Sequence, residues 1–251
     1  MQRFTSLQQA LFAGLGLVPI GCLCLALFGL LPLATGTVWL VSPALALACL
    51  FGLSHSRLGR RALRGLIGGI LATALYDCVR FPLILAGVWG DFIPTIGRML
   101  FNDPSASPLW GYAWRYLLNG GAMGITFALA PWPRSKSAFR AIAAGLIYGL
   151  SICGGLFVTL WLAPGAQALL FKLTWPTALA AIIGHALYGI ALAWYVDAWT
   201  PDPAVGRLCA LIVHQRAPNH ERVADAAMQH RSRSDVQHTA RSVPDARDIQ
   251  A

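Results

Sequence analysis

Apolar residues in this chain do not alternate or recur at helical spacing; they run on almost unbroken and stop at short polar punctuation. Six such runs stand out, at about 11–33, 38–53, 65–89, 112–130, 139–162 and 177–197. A hydrocarbon core of ~30 Å calls for about 17–25 residues of helix. In lipid, only helices and closed barrels satisfy their own backbone. The pattern predicts an all-α fold, a polytopic transmembrane bundle of six helices within residues 1–199, followed by a cytoplasmic, mostly disordered tail at 200–251. The first run outlasts the apolar core of a signal peptide and has no small-residue cleavage site after it, so it counts as a span. Pro43 interrupts the second run, and a tight turn at Pro32 to Gly36 leads into it. Between the third and fourth runs, 92–101 reads as a short helix lying in the membrane interface.

The polar punctuation orients the bundle. Loops on one side carry Arg3, Arg57, Arg60, Arg61, Arg64, Arg134, Lys136 and Arg140, and those on the other only Arg98, Arg115 and Lys172. Positive charge stays inside, so both termini are expected on the cytoplasmic side. Trp89, Trp110, Trp114, Trp132, Trp161, Trp175 and Trp199 fall near the predicted ends, where interfacial tryptophans belong.

Composition agrees. The 251 residues are 57% hydrophobic and 12% charged, too apolar for an ordinary soluble domain. The tail holds seven arginines and six acids, so +8 of the net +9 lies on residues 1–199. The basic excess thus belongs to the membrane body, no stretch interleaves aromatic and basic residues, and nucleic acid is not an expected partner. The six cysteines are scattered and read as small buried hydrophobes; Cys22 and Cys24 have no second pair to complete a zinc site. His214, His220, His230 and His238 in the tail match no ligand spacing.

Candidate chemistry starts from Asp77, the one acid inside an apolar run away from its ends, with Arg80 three residues on and Pro82 just beyond. A charge in a span costs about 2.5–3.5 kcal/mol on insertion scales, so it is expected to face protein or water with a partner. Small residues repeat every fourth position toward it, at Gly65, Gly69 and Thr73, and toward His185 and Gly189 from Ala181. Such ridges let helices approach closely in lipid. Counting 1.5 Å per residue from the nearest predicted end puts Arg80 about 13 Å deep, Asp77 about 18 Å, His185 about 12 Å and Asn119 about 10 Å. These four, with Tyr76 and Tyr188 beside them, are the candidate ligand-binding or proton-handling layer, in the outer half of the bundle.

No metal site or cofactor is expected. A haem held by two histidines would need a second one in a span, and a rhomboid-type protease at Ser151 lacks the glycine that should follow the serine. No glycine-rich phosphate loop appears. Two hairpins look alike: Ala62, Leu63, Arg64 and Gly69 match Ala138, Phe139, Arg140 and Gly145, while Gly120 and Gly124 match His185 and Gly189. A parallel internal repeat of hairpins is therefore expected.

The segment Gly184-His185-Ala186-Leu187-Tyr188-Gly189 in the last span resembles the His-x-x-Tyr-Gly ending of YagU-like bacterial inner-membrane proteins. That resemblance implies a location and no particular reaction. Three functions stay open: binding or transport of a small, anionic molecule or of protons; a non-catalytic structural or assembly subunit of a membrane complex; and an intramembrane enzyme using His185 and Asp77 as acid and base. Expected partners are the lipid bilayer, a small-molecule ligand and, on the second reading, other membrane subunits.

Overall fold

The computed structural model describes residues 6–130 and 138–198, in which all regular structure is helical and no strand occurs. Expectations for Trp132, Arg134, Lys136, Trp199 and the tail lie outside the described residues. The helices are α1 (Ser6–Leu15), α2 (Val18–Leu27), α3 (Leu33–Ser54), α4 (Ser56–Leu85), α5 (Ile93–Phe101), α6 (108–129), α7 (Ala138–Leu162), the single turn α8 (Ala166–Leu169) and α9 (Trp175–Ala198).

Four of these, within α3, α4, α7 and α9, are long and apolar enough to cross a membrane, and α1 with α2 would make a fifth if counted as one span bent by 48°. Their outward faces agree: Leu53, Leu85, Phe139, Trp161 and Trp175 stand largely exposed. Apolar surface on this scale belongs against lipid. The chain is a membrane-embedded helical protein.

The breaks have local causes. Gly16 lies so close to α6 that a Cβ there would meet the Ala122 carbonyl and the Thr126 hydroxyl, and Pro19 opens α2. The chain bends at this contact, which the Thr126 hydroxyl reinforces by donating to the Ala13 carbonyl at 2.8 Å. Pro32 is the residue before α3 rather than part of a turn running to Gly36, because the helix already begins at Leu33. Pro43 does not interrupt that helix; a π-helical stretch, Thr37–Val41, precedes it and the chain continues to Ser54. Arg57, Arg60, Arg61 and Arg64 occupy the opening turns of α4 rather than a loop. The short helix expected between the third and fourth runs is present as α5, with Ile93 and Ile96 fully buried against the bundle.

At the centre stands α6. From Gly120 to Leu129 it is buried at every position but one. It is not among the helices that pass as spans on length and composition. Shielded from lipid by its neighbours, it carries Arg115 and Asn119 where a lipid-facing helix could not. Its last carbonyls, orphaned as at any helix end, are taken up by other helices: Arg61 donates to Ala128 at 2.6 Å and Gln9 to Leu129 at 2.5 Å.

Two crossings bring backbones into contact through glycine. Where α4 meets α6, a Cβ on Gly65 would collide with the Gly124 carbonyl and one on Gly124 with the Gly65 carbonyl; Gly69 stands in the same way toward Gly120. Where α7 meets α9, Gly145 and Gly189 block each other reciprocally, and Gly149 faces the His185 carbonyl.

Candidate functional site

Beyond the α4–α6 crossing, the small-residue ridge of α4 continues through Thr73 to Asp77. Asp77 is 1% exposed and Arg80, one turn on, is 0% exposed. The Arg80 Nε donates to Asp77 Oδ1 at 3.0 Å, the expected pair within one helix. A second guanidinium completes the cluster. Arg115 of α6 donates from Nε to both carboxylate oxygens (3.1 and 3.0 Å) and from Nη2 to Oδ1 at 2.5 Å. Tyr116 adds a hydroxyl at 3.0 Å on Oδ2. Charge-assisted bonds of this number are what allow a carboxylate to stay ionised in such burial.

Arg80 also reaches outward. Its Nη1 donates to Asp91 Oδ1 at 3.1 Å, and Asp91 in turn accepts from the Tyr112 hydroxyl at 2.6 Å and the Ile93 amide at 3.2 Å. Two arginines and two aspartates thus form a formally neutral network tying α4, the loop before α5, and α6. Arg80 is wedged between the rings of Phe81 and Phe92, each 5.3 Å from its guanidinium carbon. Its Nη2 is buried without a hydrogen-bond partner, as are the indole nitrogens of Trp89 and Trp114. Those two tryptophans, 1% and 2% exposed, are packed into the core.

Arg115 sits on a π-helical stretch of α6, Trp114–Gly121. The wide turn carries Arg115, Tyr116, Asn119 and Gly120, and π-helical turns gather at functional positions. Counting Arg115 as a charge of an outer loop is corrected here: it is buried within the bundle. The signal for it was the same as for Asp77, an ionisable residue inside an apolar run. Asp91 and Tyr112 lie at a predicted loop or end and Tyr116, though inside the run, is uncharged, so none carried such a signal and only the fold brings them in.

A cavity of about 350 Å³ opens beside this network. Its walls are mostly apolar, from Ile20, Leu23 and Leu27 of α2 across Met123 to Ile152 and Leu156 of α7, with Phe171 at one end. One side is polar, formed by Arg115, Asn119, Tyr76, His185 and Tyr188. The volume falls at the lower end of small-molecule sites, which typically span about 300–1,000 Å³ with apolar walls and a few convergent polar groups.

The six residues singled out from the sequence divide here. Tyr76, Asn119, His185 and Tyr188 line the cavity; Asp77 and Arg80 do not, because Arg115 and Tyr76 stand between. Arg115 lies over the Tyr76 ring at 4.8 Å, and the same ring meets His185 edge-on at 4.9 Å. Gly184 makes room for it, since a Cβ there would sit 2.6 Å from the Tyr76 ring. The His185 Nδ1 lies 2.8 Å from the Ala181 carbonyl and must donate to it, which fixes the proton on Nδ1 and leaves Nε2 as an acceptor. Tyr188 donates to the Gly120 carbonyl at 2.8 Å. Among the described residues, Arg115 Nη1, the Asn119 amide and the Tyr76 hydroxyl make no hydrogen bond within the protein.

No family model matches the sequence, and no curated protein or solved structure is significantly similar to it. The geometry of the site therefore carries the functional reading by itself.

Proposed function

We propose that this protein is a bacterial inner-membrane binding or transport component that takes a small anionic molecule into the cavity between α2, α6 and α7. The observation that carries the reading is the division of labour within Arg115. Its Nε and Nη2 are held by Asp77, while the side chain lines the cavity with Nη1 unspent. A guanidinium fixed on one edge and free on the other is preorganised to receive an anion on the free edge. In this reading Asp77 and Arg80 position Arg115 rather than touch the ligand, Asn119 and Tyr76 donate beside it, and His185 Nε2 accepts a proton or hydrogen bond.

The bundle fits six spans if the bent pair α1–α2 is the first and the shielded helix α6 the fourth, with the arginine-rich start of α4 inside. Short tags at residues 2 and 201 would then both be reached only from the cytoplasm; tags on opposite sides would make α1–α2 a re-entrant loop. The similar crossings of α4 with α6 and α7 with α9 support a duplicated hairpin.

The function is tested on protein purified from bacterial membranes, by releasing and identifying bound small molecules after denaturation. The expected result is a compound with an anionic group, retained by the wild type and lost from Arg115→Gln and Asn119→Leu. A preparation that carries no small molecule but a stoichiometric second membrane polypeptide would replace this reading with that of an assembly subunit.

A further inference from the structure

Gly155 of α7 lines the cavity and is itself exposed, and a Cβ added there would meet nothing within 4 Å. The neighbouring Gly154 is equally open. Cys24 of α2 also lines the cavity, and its thiol meets the hydroxyl of Thr159, one turn beyond Gly155 on α7, at 3.8 Å. Gly155 lies seven residues before the end of α7, so it sits about 10 Å below that end of the helix, at hydrocarbon depth. An opening at that depth faces lipid tails rather than water.

From this we infer that the ligand enters sideways from the bilayer between α2 and α7. We assign it to the single-chain anionic amphiphiles, with the acid head on Arg115 and Asn119 and the chain along Leu23, Leu27, Ile152 and Leu156. The inference rests on the cavity reading above and adds the ligand's class and route. Most of the polar groups cluster on α4, α6 and α9, while α2 and α7 offer mainly aliphatic side chains, with Cys24 and Thr159 as their polar groups. A water-soluble anion would gain little from those walls and would meet hydrocarbon at the mouth. An anionic oxygen head on a single chain is shared by a fatty acid, through its carboxylate, and by lysophosphatidic acid, through its phosphate monoester.

The test uses the full chain in lipid nanodiscs with dansyl-labelled undecanoic acid as probe, followed by fluorescence. The acid should bind about tenfold or more tightly than its methyl ester, and Asn119→Leu should weaken it by a similar factor, the worth of a hydrogen bond to a charged group. Competition by decanoate and by lysophosphatidic acid separates the two head groups. Thr159→Cys places a thiol opposite Cys24, and oxidation to a disulfide ties α2 to α7 across the sideways route. The oxidised variant should take up probe at least about tenfold more slowly than the same protein after reduction, an effect on rate that closure of an entry path produces. Gly155→Trp, which fills the mouth without a crosslink, should slow uptake in the same direction.

Uptake unchanged in both variants, with binding still sensitive to Asn119→Leu, overturns the sideways route and leaves the cavity reading standing. Dansylglycine binding as tightly as the long-chain acid overturns the amphiphile. Binding indifferent to Asn119→Leu and to Met123→Trp overturns the cavity reading itself.

Discussion

Two hairpins of this bundle cross in the same way and carry different cargo. Helix α4 meets α6 through Gly65 with Gly124 and Gly69 with Gly120; α7 meets α9 through Gly145 with Gly189 and Gly149 with His185. Counted from that common crossing, the positions that hold Asp77, Arg80, Arg115 and Tyr116 in the first hairpin hold Phe157, Leu160, Ala180 and Ala181 in the second. Leu160, Ala180 and Ala181 are buried, so the second hairpin closes on apolar side chains. A close crossing therefore needs glycine and does not need charge. The crossing itself does not require the network of the first hairpin, in keeping with the rule that buried ion pairs are often replaceable by apolar residues without loss of stability.

The largest effect separates breaking the network from replacing it. Asp77→Ala alone leaves two buried guanidiniums with only Asp91 to compensate them and should cost roughly 3–5 kcal/mol, read as loss of folded yield and a lower melting temperature in detergent. The fourfold variant Asp77→Phe, Arg80→Leu, Arg115→Ala and Tyr116→Ala gives the first hairpin the residues of the second. It should fold better than Asp77→Ala, yet fail to complement a deletion strain. A fourfold variant that complements would make the network dispensable and remove Arg115 from the proposed function.

Next come the crossings. Gly65→Ala and Gly145→Ala each push a methyl group onto a backbone carbonyl and should cost about 1–3 kcal/mol, by similar amounts in the charged and uncharged hairpins. Gly154→Ala, in open space, should cause no such loss of melting temperature and calibrates the pair. A much larger loss at Gly65 than at Gly145 would mean that the network depends on the crossing, and that the two hairpins are not comparable.

Smaller still are the ties between hairpins. Tyr188 donates to the Gly120 carbonyl at 2.8 Å and Tyr148 to the Met123 carbonyl at 2.7 Å, both on α6. Each Tyr→Phe change should cost about 0.5–1.5 kcal/mol by denaturant titration. Tyr188→Phe should also weaken ligand binding, because Tyr188 lines the cavity, whereas Tyr148→Phe should not.

The match between the two hairpins also shows why part of the site was legible. The sequence pairs Gly69 with Gly145, but the reciprocal contacts pair Gly65 with Gly145, one helical turn away. A ridge of small residues every fourth position looks the same after a shift of four, so its register is invisible until a partner helix is present. Asp77 and His185 were legible because an ionisable group inside an apolar run is conspicuous in any window. Arg115 was misplaced because it lies near the start of its run, where a charge passes as a loop residue, and the bundle buries that start under α2 and α5.

Long apolar runs, and the cost of leaving backbone polar groups unpaired in lipid, determine by themselves that this chain is a membrane-embedded helical protein. They determine too that Asp77 must have a partner, since an unpaired carboxylate could not be kept at that depth. The tertiary structure decided which partners it has. Arg115 comes from 38 residues away and Asp91 reaches the cluster through Arg80. Both meetings depend on how far glycine lets α4 sink onto α6. The cavity was likewise a tertiary decision. Its walls come from helices distant in sequence, and Gly155 of α7 adds no side chain to them.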